Sequence, residues 1–196
     1  MEALRDTLDP WLGRPRWKQT EGRVTFVYRF ESEGLPSVPL RLKVETNTRE
    51  HFSVYGLVET PFRVSSRWFE GSCDIHSYVL DELLATKLRA LYQRRQGRDL
   101  FDLSLALATD KVDPSRIVEA FLRYMAEGGH EVTRGVFKEN LARKMLDREF
   151  LADISPLLSP GYTFDPHGEA RLVSSRLLDL LPDSSASPRR QRASTR

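Results

Sequence analysis

At 196 residues, 40% hydrophobic and 30% charged, the chain is long enough for one domain with its own core, or a modest domain with a small helical extension. No apolar run approaches the roughly 20 residues that cross a bilayer, and the N-terminus lacks the basic-then-apolar pattern of a signal peptide. That argues against a membrane protein, sets a cytoplasmic expectation, and leaves a formal charge of +2 to be explained by where it sits.

Residues 1–10 (MEALRDTLDP) read as helix from the first position, with Leu4 and Leu8 four apart and no cap before them. Strands follow. Residues 23–30 (RVTFVYRF) and 39–46 (PLRLKVET) alternate apolar and polar side chains, and the Gly/Pro/Ser stretch 31–38 between them predicts a hairpin. Residues 51–57, 62–67 and 73–78 suggest further short strands. Cys73, the single cysteine, leaves no internal disulfide or multi-cysteine zinc site and reads as a partly buried thiol.

From residue 79 the period becomes helical, over about 79–95, 99–109, 114–126, 133–146, 147–157 and 167–181, broken at Gly97, Asp113-Pro114, Gly128-Gly129 and Pro160-Gly161. Sheet first and helices later predict an α+β fold: a small mixed or antiparallel sheet in residues 1–95, a helical half in 96–182, and a tail in 183–196. The tail carries four arginines against one aspartate, which leaves about −1 for everything before it, and its Ser/Pro/Arg composition predicts disorder. It can meet RNA phosphates or simply be solvated.

The segment 81–103 is the most informative. Leu80, Leu83, Leu84, Leu88 and Leu91 form one apolar stripe at 100° per residue, and Lys87 falls near its middle with Arg94 two turns on. An unpaired ammonium costs several kcal/mol, by order of magnitude, to bury, so Lys87 has to meet an anion or reach water. Gly97 is expected to end this helix as a C-terminal cap and Asp99 to open the next, which gathers Lys87, Arg94, Asp99 and Asp102 at one corner. Such a corner is either an ion-pair network or a phosphate and metal pocket. Each residue also has a plain structural account: Asp99 as an N-cap, Arg94 on the helix dipole, Lys87 snorkelling to solvent.

Upstream, Lys43 and Glu45 share one strand face, and Glu45 is a candidate third carboxylate; Asn47, Arg49 and His51 end the same segment and read as a polar turn. Gly71-Ser72 followed by Asp74 imitates the Gly-Ser loop and paired acids that grip a triphosphate. Two residues are too few for the helical turn such a site needs, so this motif is set aside.

The passage LLATKLRALYQRRQGRDLFDL, with LRLKVETNTREHF before it, resembles the AbiEii/MenT group of nucleotidyltransferase toxins from type IV toxin–antitoxin systems over roughly residues 1–180. The resemblance implies transfer of a nucleoside monophosphate, in some members a pyrimidine, from NTP to an RNA such as a tRNA 3′ end. It also implies Mg²⁺ (or Mn²⁺), a cognate antitoxin and arrested translation. It implicates Lys87, Asp99 and Asp102 in catalysis, Lys87 and Arg94 in nucleotide binding, and Glu45 in metal binding. The family's opening Gly-Gly-Ser/Thr and Asp-x-Asp/Glu block has no counterpart here, since no Gly-Gly precedes Gly128-Gly129; the expectation is that it lies before Met1 or was lost. A lost block would leave a catalytically inactive relative that keeps antitoxin or RNA binding. An unrelated α+β scaffold with a structural salt-bridge corner is the third reading.

Overall fold

The computed structural model describes residues 2–48, 52–67, 69–109 and 111–183, and they form two compact units, one ending at Phe52 and one beginning at Ser53. The Arg/Ser-rich tail beyond Asp183, and the expected polar-turn residues Arg49 and His51, lie outside the described residues.

In the first unit α1 (Glu2–Leu12) precedes β1 (Arg16–Thr20), β2 (Arg23–Glu31) and β3 (Pro39–Asn47), an antiparallel meander in the order β1-β2-β3. The predicted hairpin pairs Arg23 with Asn47 through Glu31 with Pro39. Val24, Phe26 and Tyr28 alternate onto one face and are buried with Leu12, while Leu4 and Leu8 of α1 close over them. The Tyr28 hydroxyl donates to Asp9 Oδ1 at 2.9 Å, so the buried phenol is satisfied by the helix that covers it. β1 was not anticipated. Its sequence, RWKQT, is exposed along its whole length and so has no apolar alternation to read.

The second unit opens on a two-stranded ribbon of β4 (Leu57–Ser65) and β5 (Glu70–Tyr78), followed by α2 (Leu80–Gln93), α3 (Gly97–Leu107), α4 (Pro114–Glu127), α5 (Arg134–Lys144), α6 (Arg148–Ala152) and α7 (Pro166–Arg176). Two small antiparallel sheets and a helical C-terminal half make the α+β class. The expected strand 51–57 does not form: the described part before Leu57 is loop, and β4 begins five residues ahead of the expected strand 62–67 and ends at Ser65, two residues short of it. Gly71 and Ser72 sit inside β5, paired with Val64 and Arg63, and Cys73 is exposed there rather than partly buried.

Asp113, Thr133, Asp147 and Asp165 cap α4, α5, α6 and α7 through their side chains, which is why those starts were readable. The expected helix 147–157 breaks into α6 and a 3₁₀ turn at Ser155–Leu157, and 167–181 into α7 and a turn at Leu178–Leu180. α2 packs on α3 and α4, and α3 on α6 and α7. The shared core includes Leu84, Leu88, Leu91, Leu100, Leu103, Ile117, Phe121 and Phe137. Leu80 and Leu83 stay exposed, so the apolar stripe of α2 is centred on Leu84, Leu88 and Leu91, and Lys87 lies at its edge.

Candidate functional site

The α2–α3 corner is built from a short link. α2 ends at Gln93 and is capped by Arg94, whose N–H donates to Ala90 O; Gln96 then takes the N-cap position of α3. Gly97 is the first residue of α3 and not the cap of α2, and it has to be small there because a Cβ would collide with the Phe150 carbonyl oxygen. Asp99 is accordingly the third residue of the helix, where a carboxylate favours the positive end of the dipole, rather than the cap.

Asp99 is 0% exposed, and its charge is met from one side. Arg94 clamps it with Nε on Oδ2 at 2.7 Å and Nη2 on Oδ1 at 2.8 Å, a bidentate geometry. The bonds to Asp99 hold the Arg94 guanidinium above its ordinary range. Lys87 Nζ lies 3.4 Å from Asp99 Oδ1 and 2.6 Å from Asp102 Oδ2, with the lysine side chain 35% and Asp102 42% exposed. The four residues expected to converge therefore do so, as two cations and two carboxylates that cancel. Arg98 adds a backbone bond to Asp153 Oδ2 at 3.2 Å, tying the start of α3 to the residue just past α6.

Glu45 belongs to the first unit. It shares its strand face with Lys43 as read, and its Oε1 meets Lys43 Nζ at 3.0 Å and Arg23 Nη1 at 3.2 Å. The bond from Lys43 pulls its carboxyl below the usual range. Both Asp99 oxygens already hold cationic donors, Asp102 holds one, and Glu45 holds two. Among the described residues no three His, Cys, Asp or Glu side chains cluster to hold an ion. The donor set present does not fit Mg²⁺ or Mn²⁺ by itself.

Two buried charges outside this corner were missed. Glu82, wholly buried, accepts from Val54 N at 2.7 Å, Tyr55 N at 2.9 Å and the Tyr124 hydroxyl at 2.6 Å, locking the loop before β4 onto α2 and α4. Burial and this carboxylate push the Tyr124 phenol far up. Lys144, 5% exposed, donates to the Leu91 and Tyr92 carbonyls in the last turn of α2, so α5 fastens the helix end that presents Arg94. Burial pulls its ammonium down to about 8. Its signal was present: Phe137, Leu141 and Lys144 lie four and seven residues along one helix face, the spacing that drew attention to Lys87.

Among the described residues no helix is long and apolar enough to cross a membrane. The family model described as nucleotidyl transferase AbiEii toxin, type IV toxin–antitoxin system, matches residues 1–166. No curated protein and no solved structure matches the chain.

Proposed function

The chain belongs to the AbiEii family of nucleotidyl transferase toxins of type IV toxin–antitoxin systems, and from that premise we propose that it transfers a nucleoside monophosphate from NTP to an RNA acceptor. A tRNA 3′ end is the acceptor that fits a block of translation in the cytoplasm, and a cognate antitoxin is the partner.

The observation that supports this reading is the position of Lys87. It is half-exposed, its head is steered by the buried Asp99, and its shortest bond is to the part-exposed Asp102. A triphosphate oxygen can take the place of Asp102 on Nζ without disturbing the Arg94–Asp99 clamp beneath it. In this arrangement Asp99 and Arg94 position Lys87, and Lys87 holds phosphate as a compact point charge. The acceptor hydroxyl gives its proton to solvent, its oxygen bonds to the α-phosphorus, and the bond from that phosphorus to the bridging β-phosphate oxygen breaks to release pyrophosphate. Divalent metal supplies charge neutralisation in such chemistry. The described residues do not form its site.

A second reading has its own observation. The corner is charge-neutral and fully paired as it stands, as expected of a catalytically inactive relative that keeps antitoxin or RNA binding. Incubating the full chain with labelled NTPs and deacylated tRNA, in Mg²⁺ or in Mn²⁺, separates the two. Labelled RNA is the expected result; no label in any NTP, from a chain that still binds RNA or antitoxin, gives the second reading its place.

A further inference from the structure

The open face of the first unit's sheet sorts charge in a way that its sequence total conceals. Side chains opposite the α1-covered core belong to Arg16, Lys18 and Thr20 on β1, Arg23, Thr25, Val27, Arg29 and Glu31 on β2, and Arg41, Lys43, Glu45 and Asn47 on β3, as the pairing register requires. Six cations thus share one face with two carboxylates. Glu45 is taken up by Lys43 and Arg23. Arg16, Lys18, Arg29 and Arg41 are exposed, and none has an ion-pair partner among the described residues. Arg29 and Arg41 stand directly opposite each other in the register. A like-charged cross-strand pair destabilises a sheet, and an anion lying across both would relieve it.

What that anion belongs to follows from what the face lacks. Val27 and the edge residue Pro39 are its apolar members, and it has no aromatic residue, whereas protein interfaces are organised round an apolar or aromatic centre. Nucleic-acid interfaces are polar, strongly positive and need no such centre. We propose that this face, centred on Arg16, Lys18, Arg29 and Arg41, binds the phosphate backbone of RNA. It would hold the acceptor of the transfer proposed above by its backbone, independently of sequence, and in that sense the assignment rests on that reading. The contacts themselves require only a polyanionic strand.

The test is equilibrium binding of the full chain to a fluorescently labelled mixed-sequence RNA and to deacylated tRNA, across a salt series. Four phosphate contacts give a slope of about −3 in log affinity against log salt, at roughly 0.7 per single-strand contact. In the variant carrying Arg16→Gln, Lys18→Gln, Arg29→Gln and Arg41→Gln the slope should fall towards zero, with affinity down more than tenfold and circular dichroism unchanged. Should that variant misfold, the pair Arg29→Gln and Arg41→Gln, which removes a repulsion, should still flatten the slope by about half. A full chain with Arg189, Arg190, Arg192 and Arg196 each changed to Gln should keep most of the binding. The proposal is overturned if the face variants bind RNA as the parent does, if the tail variant alone abolishes binding, or if the face variants lose antitoxin and not RNA. A parent chain that binds RNA through this face and yet labels none refutes the transfer reading alone.

Discussion

Arg94 holds Asp99 with two parallel bonds, 2.7 Å at Oδ2 and 2.8 Å at Oδ1, and the two partners differ in what each does when left alone. Arg94 is nearly half-exposed and Asp99 is wholly buried. Replacing Asp99 with Asn lets Arg94 turn into water and forfeits charge-assisted bonds, about 1–3 kcal/mol. Replacing Arg94 with Ala leaves a buried carboxylate with only Lys87 at 3.4 Å, a stranded charge of the kind that costs about 3–5 kcal/mol where no water reaches it. Urea unfolding should therefore place Arg94→Ala below Asp99→Asn in stability. The reverse order would mean that solvent or Lys87 fully compensates Asp99.

Lys87 should separate activity from stability. Its bond to Asp102 lies between two part-exposed groups and is worth less than about 1 kcal/mol. Lys87→Ala should keep the unfolding midpoint within a few degrees while RNA labelling from NTP falls at least a hundredfold. Lys87→Arg, which keeps the charge but changes its shape and reach, should restore only part of it. A Lys87→Ala chain that labels normally would remove the lysine from the phosphate site.

Much of this corner was visible before the structure, and the reason is periodicity. Lys87 and Arg94 are seven residues apart, Asp99 and Asp102 three apart, and helical spacing alone puts each pair on one side of its helix. Which charge would be buried was not visible, because burial is set by packing between distant segments, such as that of Gly97 against the Phe150 carbonyl more than fifty residues away. The strands divide in the same way. β2 was readable because one face is buried and alternates; the exposed ribbon was read in part, as 62–67 and 73–78, and the exposed β1 not at all. Glu82 escaped notice because an acid in the first turn of a helix looks like dipole chemistry, and its partners lie on distant segments.

Glu82→Gln should show what that acid does. The amide keeps one oxygen and brings an NH₂ where a backbone N–H now donates, so at least one of Val54 N, Tyr55 N or the Tyr124 hydroxyl loses its acceptor. The expected cost is about 1–3 kcal/mol, and hydrogen exchange at the Val54 and Tyr55 amides should quicken more than at the α3 amides. Uniform quickening would show a global role instead of a local clamp.

The Lys144 ammonium, pulled to about 8 by burial, makes stability depend on pH in a defined window. Below about 8 both states are protonated and this group adds no slope. Between about 8 and the ordinary lysine value near 10.4 the unfolded chain holds a proton that the folded chain has released, so stability rises with pH, by at most about 1.4 kcal/mol per unit. The neutral amine still has two hydrogens for the Leu91 and Tyr92 carbonyls. Urea midpoints of the parent, minus those of Lys144→Met, should climb from pH 8 to 9.5 and stay level from pH 6 to 7. A flat difference would mean that Lys144 titrates normally.

Two glycines at helix starts should respond to alanine with opposite signs. At Gly97 the added methyl meets the Phe150 carbonyl oxygen, backbone that cannot swing aside, so α3 or α6 has to shift; about 1–3 kcal/mol is the usual range for overpacking. Because Gly97 stands two residues before Asp99, that shift should also lower RNA labelling. At Gly135, in the first turn of α5, a methyl would meet nothing within 4 Å, and alanine should gain about 0.5 kcal/mol by lowering the entropy of the unfolded chain. Unfolding curves and labelling rates of the two variants, measured side by side, test whether the close approach of α6 to Gly97 is what sets the position of Asp99. Equal stability for both would show that it is not.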